Sequence, residues 1–336
     1  MINWGIIGLG KMADRFASSI NEVKNANLLA IASKSVERLK NFGDLYNIEN
    51  KFRFNSYEEF LNCTQINSIY ISTLNNTHAD IILKATRAKK NILCEKPVTT
   101  NYSDAIRVFD ELNKSNIFFL EAIAYRTHPQ TKLVINKIIQ GEIGDVKTID
   151  TTFGFSHRKF DPHSRLFDPK LGGGAILDVG CYPVSFSSLI ANIKEKDKLV
   201  EPEILDVSGS LCSTGVEDCA YVTLKFSNKI IATVGTAIRL NMKNQTLITG
   251  TKGSILINTP WLPEKKSLIE IKINKRYYKT FVNSKKSIFA NQIHVASQLI
   301  LDDKKEGKFP AMTWKSSLNN MLILDKWKEK LFEKLN

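Results

Sequence analysis

Cysteine is scarce in this chain: five in 336 residues, at positions 63, 94, 181, 212 and 219, with no Cys-x-x-Cys pair. That spacing excludes a disulfide framework and a zinc finger, and it predicts free thiols in a reducing compartment. No metal is expected. No repeat of 20 residues or more and no low-complexity tract is present, which excludes a solenoid. No apolar run approaches the ~20 residues needed to cross a bilayer, and the first residues lack a charged-then-apolar signal. A cytoplasmic protein without a membrane partner is therefore expected. Acidic residues are also in deficit, 34 against 47 Lys plus Arg, so nucleic-acid binding has to be weighed. The densest basic groups, Lys194 to Lys198 and Asp302 to Lys308, have acids interleaved. With no basic helix and no aromatic RNA-binding signature, the excess reads as a solvated surface, and no nucleic-acid partner is expected.

What is present begins at the second residue. The length exceeds a usual single core and predicts two domains. Trp4 to Ile7 is an apolar run of strand length, followed by Gly8-Leu-Gly-Lys-Met-Ala13. Gly8 suits a sharp reversal, Gly10 removes the side chain that would block a close approach, and Ala13 lets a helix pack on the strand. Met12, Phe16, Ala17 and Ile20 then fall at helical spacing. A helix beginning there aims unpaired N–H groups and a positive dipole end at the turn, a ready site for a pyrophosphate. Leu9, Lys11 and Met12 complete the dinucleotide-binding turn G-x-G-x-x-A.

Alternating strands and helices continue the pattern: strands over 28–33, 68–73, 91–94 and 117–120, helices over 36–46, 79–88 and 100–113. An NAD site ends its second strand with an acid on the ribose 2'-hydroxyl. Here Ser33-Lys34-Ser35 stands instead, with Arg38 one turn on. No acid repels a 2'-phosphate and two cations can hold one. At about 1.5 to 3 kcal/mol for each charged hydrogen bond, NADP is favoured over NAD by roughly 100-fold, although NAD(H) is not excluded. The alternative is a solvated Lys and Arg on a helix start. The next two strands end in Thr73-Leu-Asn75-Asn-Thr-His78 and in Glu95-Lys96-Pro97, both at the carboxyl edge where open α/β sheets bind ligands. His78, taken alone, reads equally as a helix-capping histidine.

After Glu121 the pattern changes. A helix over 131–139 and a strand over 146–155 lead to a long polar loop, 156–170, with His157, Arg158, His163, Arg165 and Asp168. Loops of that length are usually functional. Three glycines, 172–174, open a helix on which Asp178 and Tyr182, four apart, share a face. They project a carboxylate and a phenol together, or else Tyr182 is packed with its hydroxyl paired. Strands follow over 204–212, 220–226, 230–238, 246–249, 254–257, 268–273 and 277–282, then helices over 290–301 and 316–332. A sheet of six to eight strands has one face covered by helices, and a second copy of the chain would cover the other.

Taken in order, Gly8-Leu-Gly-Lys-Met-Ala13, Ala-Ser33-Lys34, Cys-Glu95-Lys96-Pro97, Glu121-Ala-Ile-Ala-Tyr-Arg126-Thr-His-Pro129, Arg165-Leu-Phe-Asp-Pro169 and Gly-Gly-Gly-Ala-Ile-Leu-Asp178-Val-Gly-Cys-Tyr182-Pro resemble the Gfo/Idh/MocA oxidoreductases. The likeness is greatest to their NADP-linked branch of dihydrodiol and D-xylose dehydrogenases, and it spans nearly the whole length. The resemblance implies an α/β fold: a doubly wound Rossmann domain over 1–122 and an α+β domain with a large open, mostly antiparallel sheet over 123–336, its last helices packing back on the first domain. It implies a homodimer or higher oligomer through that sheet. It implies hydride transfer between the nicotinamide and a CH-OH or C=O group of a sugar, cyclic polyol or dihydrodiol. By likeness, Lys96 sits beside the reacting hydroxyl, Tyr182 is the acid/base and Asp178 orients Lys96 or a substrate hydroxyl. A free phenol, with a pKa near about 10, is a poor base at neutral pH, and a nearby ammonium favours its phenolate. Arg126 is expected on the cofactor, and Tyr125, His157 and Arg165 on the substrate. Ala124-Tyr125-Arg126-Thr127 departs from the family's usual Trp-Thr-Arg-Phe, which leaves the substrate open. A non-catalytic NADP sensor on the same scaffold is the alternative, but such a protein has no need of Lys96 and Tyr182 together.

Overall fold

The computed structural model describes residues 1–195 and 200–335; the basic stretch Lys196 to Lys198 lies outside them. In chain order the elements are β1 (Ile2–Ile7), α1 (Lys11–Ile20), β2 (Ala26–Ala32), α2 (Val36–Leu45), β3 (Arg53–Phe54), α3 (Tyr57–Asn62), β4 (Ser68–Ile71), α4 (His78–Arg87), β5 (Asn91–Cys94), α5 (Tyr102–Asn113) and β6 (Phe119–Glu121). Then come α6 (Pro129–Ile139), β7 (Val146–Gly154), a π turn (Ile176–Gly180), α7 (Cys181–Ala191), β8 (Pro202–Leu211), β9 (Glu217–Phe226), β10 (Ile231–Ala237), β11 (Thr246–Gly250), β12 (Gly253–Ile257), β13 (Lys266–Ile273), β14 (Arg276–Asn283), α8 (Ile288–Leu301) and α9 (Trp314–Leu335).

The described residues form two compact units: Met1–Thr99, Ser103–Thr127 and Lys286–Trp314 in one, Thr100–Tyr102, His128–Lys285 and Lys315–Asn336 in the other. The first holds a parallel sheet in the order β3-β2-β1-β4-β5-β6. That is the doubly wound order, and its reversal between β1 and β4 places the ligand crevice at their carboxyl ends. The strands read as near-continuous apolar runs because helices cover both faces; Ile6, Ile7, Ile69, Ile71, Ile92 and Leu93 are fully buried. From the far end of the chain, α8 joins this unit. Its N-cap Ser287 takes a backbone bond from Ala290, and Ser297 accepts from the indole of Trp4 at 3.0 Å.

The second unit is built on an eight-stranded sheet, β14-β13-β12-β11-β7-β10-β9-β8. Neighbours are antiparallel except β7 and β10, which run parallel. Its inner face packs under α7, whose Ser185, Phe186, Ser187, Leu189 and Ile190 are all buried, and α9 is tied to α7 by Asn320 donating to the carbonyl of Cys181 at 3.3 Å. The opposite face carries Tyr221, Ile231, Tyr277 and Phe281 in exposed positions. The Tyr221 ring lies over Gly235, its cross-strand partner, where a side chain would overlap it. Against the expectation that no apolar run is long enough, the segment Pro169–Ala191 passes for a bilayer span by length and composition; 89% of its most apolar window is buried inside the protein, as befits a core helix.

Candidate active site

In the first unit β1 ends at Gly8, whose φ is +88°. A Cβ there would collide with the Thr73 side chain and the Ser72 carbonyl, while Ser72 Oγ donates to the Gly8 carbonyl at 2.8 Å. The end of β4 therefore sits against the glycine turn. Gly10 caps α1 with no side-chain bond to the helix, and nothing lies within 4 Å of where its Cβ would be. Open space and free N–H groups together fit a pyrophosphate. Leu9 is buried, Met12 half-buried and Lys11 exposed.

At the end of β2, buried Ser33 accepts from the N–H of Ser35 at 3.2 Å. Ser35 in turn caps α2 by accepting from the N–H of Arg38 at 3.3 Å. Lys34 and Arg38 are exposed, and the Lys34 ammonium stands 5.7 Å from the ring centroid of Tyr57, a weak cation–π contact.

Lys96 lies on a turn braced from three sides. Before it, buried Glu95 accepts a short hydrogen bond from the hydroxyl of Tyr70, whose ring stacks on Phe16 at 4.3 Å. After it, the Pro97 carbonyl meets Nδ1 of His78 at 2.9 Å, and the Val98 N–H donates to Glu121 Oε1 at 3.0 Å. Lys96 itself is half-buried. The sequence singled out Glu95 and His78 as cofactor contacts, not as supports of this turn, and passed over Tyr70 and the carboxylate of Glu121. Glu121 stood in a quoted motif; Tyr70 carried no local signal.

Two of the expected ligand contacts, His78 and Tyr125, are fully buried. His78 has Nε2 3.3 Å from the Thr73 carbonyl, so it ties the β4 turn to the Lys96 turn. Tyr125 hydrogen-bonds the buried guanidinium of Arg126, so the phenol helps to hold the arginine. Thr73 Oγ1 receives the Thr77 hydroxyl at 2.7 Å, and Asn75 lies half-buried in the short helical turn beside it.

Burial pushes the pKa of His78 down to about 4 from an ordinary 6.5, although its two carbonyl partners oppose the shift. His128, at the start of α6, is lowered to about 4 by burial as well. Between these values an unfolded histidine binds a proton that the folded one refuses, so the stabilisation is whole above about pH 6.5 and is lost as pH falls towards about 4. For His78 alone the loss is on the order of 3 kcal/mol. Urea unfolding at pH 7 and pH 5 should show it, with a smaller difference in His78→Gln. Equal pH dependence in the two proteins would show that His78 takes no part.

In the second unit the loop after β7 is closely tied. The Phe167 and Asp168 N–H groups both donate to the Ser164 carbonyl, and Gly174 N–H donates to Leu166 at 2.9 Å. Beneath lies a core of Leu166, Phe167, Ala175, Val179, Val216 and Ile238. The loop delivers Arg165 to Asp178, Nη1 to Oδ1 at 2.8 Å, with the arginine half exposed and the carboxylate buried. Asp178 thus has a cation from its own unit, a partner the sequence did not assign to it. His157, Arg158 and His163 are exposed. The His157 ring lies 6.1 Å from that of Phe167, and none of the three is brought to Asp178 as Arg165 is.

The helix expected after the three glycines begins as a π turn carrying Asp178, and Tyr182 follows in the first turn of α7. The half-buried Tyr182 ring meets Phe153 edge-to-face at 5.2 Å and stands 6.3 Å from Trp261. Trp261 stacks on Phe153 at 5.8 Å and is oriented by its indole N–H bond to the Thr152 carbonyl at 2.8 Å. Phe153 and Trp261 escaped the sequence reading because 108 residues separate them. Among the described residues no group of three or more His, Cys, Asp or Glu gathers as metal donors.

Comparison with known proteins agrees with this architecture. Residues 2–122 match the oxidoreductase family described by its NAD-binding Rossmann fold, and residues 133–256 match the GFO/IDH/MocA C-terminal domain. The chain is 34% identical over 263 residues to trans-1,2-dihydrobenzene-1,2-diol dehydrogenase of Xenopus tropicalis, covering 77% of this chain and 76% of that one. With the human protein of that name it shares 27% over 265 residues, 78% and 76% of the two chains. Among solved structures, a 3-ketoreductase from Actinomadura kijaniata in complex with NADP and TDP-benzene superposes with a TM-score of 0.86 at 21% identity over 98% of both chains. An aldose-aldose oxidoreductase from Caulobacter crescentus, complexed with glycerol, gives 0.87 at 22% over 99% and 98%. A glycine turn open to a dinucleotide, a braced lysine at the same sheet edge and two matching domains have one reading: the chain belongs to the Gfo/Idh/MocA family of oxidoreductases.

Proposed function

We propose that the protein is an NADP(H)-dependent dehydrogenase for a small hydroxylated ring compound, a sugar, cyclic polyol or dihydrodiol. Lys96 carries this reading: its turn is held by Tyr70, His78 and Glu121, far more support than binding a dinucleotide requires. The α1 amino terminus holds the pyrophosphate, and Ser33, Lys34 and Arg38 hold the 2'-phosphate. When bound, the nicotinamide supplies the hydride acceptor. Lys96 donates a hydrogen bond to the substrate hydroxyl, and Tyr182 takes its proton in oxidation and returns it in reduction. Asp178, paired with Arg165, orients a neighbouring substrate hydroxyl. The names of the relatives, a dihydrodiol dehydrogenase and an aldose-aldose oxidoreductase, support the substrate class.

The test is a panel of aldoses, inositols and trans-dihydrodiols screened for NADP reduction, with NADPH and NADH titrated against the protein. Turnover on at least one class and NADPH binding at least about tenfold tighter than NADH are expected, since even one charged hydrogen bond contributes that much. Equal affinities remove Ser33, Lys34 and Arg38 from the phosphate site. Tight NADPH binding without turnover on any compound returns the protein to a sensor on the same scaffold.

A further inference from the structure

The π turn that carries Asp178 has a support that the reaction scheme leaves unused. Glu217, the first residue of β9, is completely buried. Its Oε1 accepts from the backbone N–H of Ile176, the first residue of the turn, at 2.9 Å. Its Oε2 is buried with no hydrogen-bond partner, and burial raises the pKa of the carboxyl despite the opposing charge of Lys328. Space for the group exists because Gly174, at φ +108°, has no Cβ; a side chain there would overlap the carboxyl.

A second tether meets the same corner. Thr236, buried on β10, donates from Oγ1 to the carbonyl of Ala175 at 3.1 Å. Two successive residues, Ala175 and Ile176, are thus fastened to β10 and β9 by side chains, one through its carbonyl and the other through its N–H. Within the turn, the N–H of Asp178 reaches back to the carbonyl of Gly174 at 3.1 Å. Single-turn π insertions are rare and are frequently found at functional sites. A buried carboxyl is a costly way to satisfy one N–H, and a side chain less demanding than Glu would serve if only stability were at stake.

We propose that Glu217 is a positioning residue for catalysis: by holding the Ile176 N–H it sets the rotation of the π turn, and so the direction in which Asp178 and Tyr182 project. The inference rests on the assignment of those two residues to the reaction. Removing the acceptor lets the turn relax towards an ordinary helix and carries both side chains off their places. The dinucleotide, held at the α1 glycine turn, is unaffected.

The experiment compares Glu217→Gln, Glu217→Leu and Thr236→Val in the full-length protein, reading kcat, substrate KM, NADPH dissociation constant and melting temperature. Glu217→Leu should lower kcat by about 30- to 100-fold, the scale of a misplacement of roughly 1 Å, with NADPH binding unchanged. Glu217→Gln keeps the acceptor and should recover kcat to within about threefold of the parent. Thr236→Val, which preserves shape, should lower kcat by about fivefold through loss of the second tether. A folded Glu217→Leu protein with parental kcat overturns the proposal, as does a Gln variant as slow as the Leu one. If Glu217→Leu does not fold, parental kcat in Thr236→Val overturns it. Tyr182→Phe run alongside separates the two readings: parental activity there defeats the catalytic assignment and this inference with it. An inactive Tyr182→Phe beside a fully active Glu217→Leu defeats this inference alone.

Discussion

Lys96→Met is expected to lower turnover by about 10²- to 10³-fold, the effect of deleting one donor aimed at developing negative charge in a water-excluded site, while NADPH still binds within a few-fold of the parent. Methionine preserves the length and much of the shape of the lysine stem but has no charge and no donor. Three of the contacts that brace it are made by other groups: Tyr70 holds Glu95, His78 meets the Pro97 carbonyl and Glu121 holds the Val98 N–H. The turn therefore survives the substitution, and the loss falls on the chemical step. The glycine turn and the Ser33 to Arg38 segment, which we assign to the phosphates, are untouched. NADPH fluorescence titration and steady-state kinetics on one substrate separate the two effects. An unaltered kcat removes Lys96 from the mechanism, whereas kcat and NADPH affinity falling together make it a cofactor-binding residue.

Much of the fold was legible because it is written locally. Runs such as Ile69 to Ile71 and Asn91 to Cys94 announce buried strands, and each glycine turn or polar cluster sits at a strand end. The predicted elements consequently fall within a few residues of those observed. Two short elements escaped, β3 and α3. A two-residue strand has no period to detect, yet α3 had a signal: Ser56, three residues before Glu59, accepts the Glu59 N–H at 3.3 Å, which is one half of a capping box.

What could not be read depends on distant residues. Nothing near Ile176 marks a π turn, because the side chains fastened to its start come from Glu217 and Thr236. The parallel pairing of β7 with β10 joins strands more than 75 residues apart. The same limit applies to the site. Asp178 was legible as a carboxylate beside Tyr182, but its bond to Arg165 depends on how an intervening loop folds. His78 and Tyr125 lie in motifs that suggested ligand contact, while their burial and protein partners depend on the whole unit and had no local signal.

Tyr182→Phe carries the second large expectation. Phenylalanine retains the ring that packs edge-to-face on Phe153, so α7 and the aromatic wall with Trp261 should persist, and the melting temperature should move little. Only the hydroxyl is lost. In oxidation the substrate hydroxyl must shed a proton as its hydride leaves, and in reduction the developing alkoxide must gain one. Without the phenol, water or Lys96 has to serve in a geometry not arranged for either. The rate should fall at least about 10²-fold, the usual contribution of a placed acid/base, with substrate KM changed far less than kcat, since a group needed in the transition state contributes little to ground-state binding. The phenylalanine variant should also lose whatever part of the pH–rate profile belongs to the phenol. A fall confined to KM would make Tyr182 a substrate-binding residue, and the proton would then have to be sought at Lys96.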